Sequence, residues 1–157
     1  MLYIIVVAVT MLVGPAVSVG LDRALHPATP WLALVARWFV FWGVGVRLAI
    51  AGARQILQPG FTAREIFHIP GDEALVLVRE LGTWNLAIGL LGLLSLAQPS
   101  FVLPTAIAAA IFYFAAGIGH VTAAERTLNE TVAMTSDLGA ALVLAVVVAG
   151  TLRFGRA

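Results

Sequence analysis

Apolar residues along this chain neither alternate nor fall into a narrow stripe; they run on. Five windows, 2–21, 31–57, 74–97, 101–124 and 131–152, are each long and apolar enough to cross a hydrocarbon core, which takes about 20 residues of helix. A barrel strand needs only about ten residues and alternates its side chains inward and outward. The runs therefore predict an all-α fold, a multi-span transmembrane helical bundle of five helices. Six of the seven prolines, Pro27, Pro30, Pro59, Pro70, Pro99 and Pro104, lie between the windows or at their edges. Proline removes a backbone donor that lipid cannot replace, so that placement is expected. Pro15 lies inside the first window and predicts a kink there.

The polar breaks between the windows are unequal. The second is the long one, and its "FTAREIFHIP" predicts a short interfacial helix over 62–68. Thr62 is placed as the N-cap with Glu65 three residues on, and Phe61 and Ile66 as the hydrophobic staple. Pro70-Gly71 stops that helix, and Asp72 caps the next span. The third break, "AQPS", reads as a bare turn. The fourth, near "ERTLNE", holds neither Gly nor Pro, so its limits stay open. A break is still required, because 101–152 as one helix would be about 78 Å long. The end of the first window, "GPAVSVG", has the small residues of a signal-peptide cleavage site. No basic residue precedes the apolar run, so a retained helix is expected. Without repeats, linkers or low-complexity tracts, 1–157 reads as a single integral-membrane domain.

Composition agrees with lipid as the solvent. Of 157 residues, 61% are hydrophobic and only 11% charged, where a soluble domain has about 25% charged. A net charge of +1 without a basic face excludes nucleic acid as a partner. There is no cysteine, which excludes disulfides and thiolate chemistry. The partner the sequence does imply is the bilayer.

Small residues recur at spacings that let helix backbones meet. They are Gly45, Ala49 and Ala53; Gly82, Gly89 and Gly92; Ala115 and Gly119; and Ala141, Ala145 and Ala149. Such seams serve either a homodimer or membrane-protein partner, or packing within one bundle.

The intramembrane polar groups gather on one side. Consecutive spans run antiparallel, so the end of the second, the start of the third, the end of the fourth and the start of the fifth share one leaflet. Arg47, Arg79, Glu80, Asn85, His120 and Asp137 all fall there, with Glu125 nearer the surface. Glu80 lies about 12 Å along its helix from Asp72, Asp137 about as far from Asn129, and Arg47 about 16 Å from Gln58. Ionisable groups at such depth turn inward and pair. Arg47 and Arg79 balance Glu80 and Asp137. Trp84, four residues after Glu80, is placed to wall the shared pocket.

That pocket has several readings. The charges form a structural staple between helices, or they bind a small molecule such as a quinone, with Phe112, Tyr113 and Phe114 as aromatic walls. A third reading is a proton or ion relay through Glu80, His120 and Asp137. Ligand spacing for a metal is absent: there is no Glu-x-x-His, and His120 stands without a second histidine in the spans. No G-x-S-x-G elbow or phosphate-binding loop occurs, so no catalytic residue and no cofactor is assigned.

Three stretches, "FWGVGVRLAIAGARQILQPGFTAREIF", "RELGTWNLAIGLLGLLSL" and "VAMTSDLGAALVL", resemble a family of small bacterial integral-membrane proteins described only as a domain of unknown function. The resemblance covers most of residues 38–148 and implies no activity. A more distant similarity is to DoxX-like membrane proteins, which share a glutamate followed by a Gly-rich apolar helix and are sometimes associated with quinone-linked redox partners. DoxX-like proteins usually have four spans where five windows stand here, so no functional residue is carried over.

The expected function is a non-enzymatic structural or accessory component of the inner (plasma) membrane with a polar pocket in one leaflet. Arg23, Arg37, Arg153 and Arg156 lie on the side opposite that pocket. The positive-inside rule then puts the C-terminus in the cytoplasm and opens the pocket to the other side.

Overall fold

The computed structural model describes residues 1–121 and 127–154, which form helices and no strand. In chain order these are α1 (Leu2–Leu25), α2 (Trp31–Leu57), a short α3 (Pro59–Phe61 continuing through Thr62–Ile66), α4 (Ala74–Leu94), α5 (Pro99–Val121) and α6 (Leu128–Phe154). All but α3 are long and apolar enough to cross a membrane, which fits a multi-pass membrane protein. The outer faces carry large aliphatic side chains such as Leu12, Leu77, Ile111 and Leu142, each more than half exposed. Without water around them, these surfaces need no polar cover. Glu125, Arg126 and Arg156 lie outside the described residues.

α2 packs along α4, and α5 along α6, with α1 laid against α2 and α6. The α2–α4 seam is built from glycine. A Cβ at Gly89 would lie 2.5 Å from the Ala49 nitrogen, and one at Gly45 would lie 2.8 Å from the Gly92 carbonyl carbon. Gly52, rather than Ala53, continues the seam, where a Cβ would lie 2.5 Å from the Gly82 oxygen. Lipid tails are as apolar as leucine, so it is this close backbone contact that holds two such helices together. The small residues of α2 and α4 thus pack on each other within one chain. On α5, buried Gly117 meets Leu138 of α6, while Ala115 and Gly119 face outward.

Three local features differ from the sequence pattern. At Pro15, where the sequence predicts a kink, α1 runs on and widens to a π turn over Val9–Val13 just before the proline. Such a turn accommodates a residue that cannot fill the regular ladder. α3 begins at Pro59, in the first-turn position that suits proline, so Thr62 is not its N-cap but a buried residue inside it. The capping box is used elsewhere. At the start of α6, Glu130 Oε2 accepts from the Thr127 backbone N–H at 3.0 Å, and Thr127 Oγ1 accepts from the Glu130 N–H at 3.3 Å.

Candidate functional site

The second π turn positions the site. It spans Val40–Val46 in α2, where the Arg47 N–H reaches back five residues to the Trp42 carbonyl. The Gly43 carbonyl thereby loses its usual partner four residues on, and it accepts the Tyr113 hydroxyl of α5 at 2.6 Å. A backbone acceptor in lipid needs such a donor. The extra residue in the turn also sets the direction in which Arg47 leaves the helix.

Arg47 points into the bundle and is only 8% exposed. Its Nη2 donates to Asp137 Oδ1 at 2.8 Å and to Ser136 Oγ at 3.0 Å, tying α2 to α6. Its guanidinium carbon lies 5.1 Å from the centre of the Tyr113 ring. A planar guanidinium suits this combination of paired oxygen and aromatic face. Nη1 is buried without a hydrogen-bond partner. Nearby, Asn85 Nδ2 donates to Gln55 Oε1 at 2.8 Å, which leaves Asn85 Oδ1 buried and unpartnered. Turning both amides round would orphan the Asn85 nitrogen instead.

A cavity of about 370 Å³ adjoins these groups, at the lower end of the size range of small-molecule pockets. Arg47, Asn85, His120 and Asp137 all line it, on walls that are otherwise mainly aliphatic and aromatic. α1 contributes Tyr3 and Val6, and α3 contributes Phe61 and Ile66, with Phe67 just after it. Phe112 and Tyr113 form part of the wall, while Phe114 is 59% exposed on the outside.

The structure separates the other three expected residues from this group. Arg79, Glu80 and Trp84 are exposed and do not line the cavity. For Glu80 and Trp84 the reason is helical phase. Gly82, Asn85, Gly89 and Gly92 are the buried face of α4, committed to the seam with α2. Glu80 and Trp84 stand two residues to either side of Gly82, about 160° away from it at 100° per residue. The Glu80, His120 and Asp137 set is therefore not brought together.

Other groups carry no obvious sequence signal, or one that reads only with the helix face in view. Arg47, Ala51, Arg54 and Gln55 share one side of α2, and with Gln58 just past its end all line the cavity. At the other end of the bundle, Asp22 accepts from Trp38 Nε1 at 2.7 Å, lies 2.7 Å from His26 Nδ1 and 3.4 Å from Arg37 Nη1. That cluster joins α1 to α2, away from the cavity lined by Arg47.

Neither the curated proteins nor the solved structures hold a match to this chain. A family model does match, over residues 1–154, and the chain belongs to that family, DUF6790, a family of unknown function.

Proposed function

We propose that this protein is a non-enzymatic component of the inner (plasma) membrane whose cavity holds a small membrane-borne molecule by its polar end. The observation that carries this reading is the state of the cavity wall. Two of the residues that line this mainly apolar hollow, Arg47 and Asn85, each keep a buried polar atom without a protein partner. Buried polar groups are nearly always satisfied, so leftover capacity next to empty space favours an occupant. The Arg47–Asp137 bridge is at the same time a tie between α2 and α6, and the structural role and the binding role share it.

A quinone is the second reading. Arg47 as a donor and the half-buried His120 ring suit carbonyl oxygens, and Phe112 and Tyr113 suit a flat ring. The proposed orientation keeps the C-terminus cytoplasmic and the cavity in the opposite leaflet, and a reporter fused to each terminus checks it.

The test is a thermal-shift measurement on the detergent-purified protein with single-chain amphiphiles and with decyl-ubiquinone. Ala116→Phe, which fills the cavity from α5, serves as the control. The wild type is expected to gain stability with at least one probe, and the filled variant to lose that gain while folding normally. No shift with any probe, or an equal shift in the filled variant, sinks the reading.

A further inference from the structure

Four ionisable side chains, apart from the tyrosines, line the cavity: Arg47, Arg54, His120 and Asp137. Arg47 and Asp137 neutralise one another at 2.8 Å. With His120 neutral, the remaining charge is Arg54, so the lining carries a net positive charge. Among the described residues no carboxylate pairs with Arg54 and none accepts a hydrogen bond from it. It is instead half-buried, its guanidinium carbon 3.6 Å from the centre of the Phe61 ring of α3.

This arrangement has a direction. Stacking fixes the plane of the guanidinium while leaving its N–H donors at the edge, where a carboxylate or phosphate takes two at once. Arg54 is in the last turn of α2, seven residues from Arg47 on the same face and so about 10 Å nearer the helix end. A head held there stays close to the polar margin of the leaflet, and an apolar tail has the hollow beyond it. A cation near a helix C-terminus is favourable on its own account. That effect explains where Arg54 occurs, but not why it lies on Phe61 at a cavity wall.

We propose that the cavity takes a single-chain amphiphile with an anionic head, carboxylate or phosphate, seated on Arg54. This rests on the reading of the cavity as a ligand site and adds the charge of the ligand and the residue that selects it.

The experiment measures binding to the full chain in phosphatidylcholine nanodiscs. The probes are laurate, lauroyl-lysophosphatidylglycerol, methyl laurate and inorganic phosphate. Laurate and the lysolipid are expected to bind, and Arg54→Gln to weaken both by about tenfold or more, as for loss of a charge-assisted contact. Arg54→Lys is expected to restore most of the affinity, and methyl laurate to bind weakly and to ignore both substitutions. Among the described residues the Arg54 side chain makes no hydrogen bond, so both variants should fold, which an unchanged melting temperature verifies. If methyl laurate matches laurate, or Arg54→Gln leaves laurate unaffected, anion selection is wrong while the cavity reading stands. If inorganic phosphate displaces laurate, or phosphatidylglycerol discs abolish its binding, Arg54 serves a free anion or the surrounding bilayer and the proposal falls. If no chain-bearing probe binds, and Ala116→Phe changes nothing, both readings fail together.

Discussion

Asp22 and Asp137 each expose only 7% of their surface, yet Asp22 is covered by a thin layer at the end of the bundle and Asp137 lies deep within it. Asp22 uses both oxygens: Oδ1 meets His26, and Oδ2 meets Trp38 and Arg37. Two of those partners, His26 and Arg37, are themselves 65% and 48% exposed, so the cluster opens to its surroundings. Asp137 bonds through Oδ1 to Arg47, which is also buried and retains an unpartnered nitrogen beside a cavity. A buried carboxylate therefore does not mark a site. In the proposed reading, hydrogen-bonding capacity left over in a cavity wall does, because a closed network has nothing to offer a ligand.

Breaking the Arg47–Asp137 pair should have the largest effect. Asp137→Ala leaves a buried guanidinium uncompensated and is expected to cost about 3–5 kcal/mol in detergent unfolding, with Arg47→Met/Asp137→Leu recovering most of it. Asp22→Asn keeps the shape and loses the charge-assisted bonds, and because its partners open to solvent it is expected to cost clearly less than Asp137→Ala. It should leave any ligand-induced thermal shift intact. If Asp22→Asn proves the more damaging, or removes the ligand response, the contrast between the two carboxylates is wrong. The smallest effect belongs to the two Thr-x-x-Glu segments. Thr127→Ala removes a working cap and should cost about 1 kcal/mol, seen as faster amide exchange in the first turn of α6. Thr62→Ala removes no cap, and α3 should exchange as before; faster exchange there would contradict its start at Pro59.

These two segments show how far local pattern reaches. Both read Thr-x-x-Glu, and only the later one caps a helix. Pro59 starts α3 three residues before Thr62, so the earlier motif falls inside the helix, while Thr127 stands directly before α6. The seam teaches the same lesson in the other direction. Glycine spacing in α2 and α4 is plain in the sequence, but whether it meets a second chain or its own neighbour is a matter of docking. The structure fills it internally, Gly45 against Gly92 and Ala49 against Gly89. The directions of Glu80 and Trp84 on α4 follow from that contact, since the face given to the glycine seam turns both outward.

Five apolar runs needed no tertiary information to be recognised as membrane-length helices, because hydrophobic length and proline placement are properties of each segment alone. That Arg47, Asn85, His120 and Asp137 share one part of the bundle was legible for the same reason, through antiparallel order and helix rise. Which of the polar residues face one another was not. That depends on the rotation of each helix about its axis, and a π turn at Val40–Val46, one residue of extra phase with no mark in composition, changes it for everything that follows in α2.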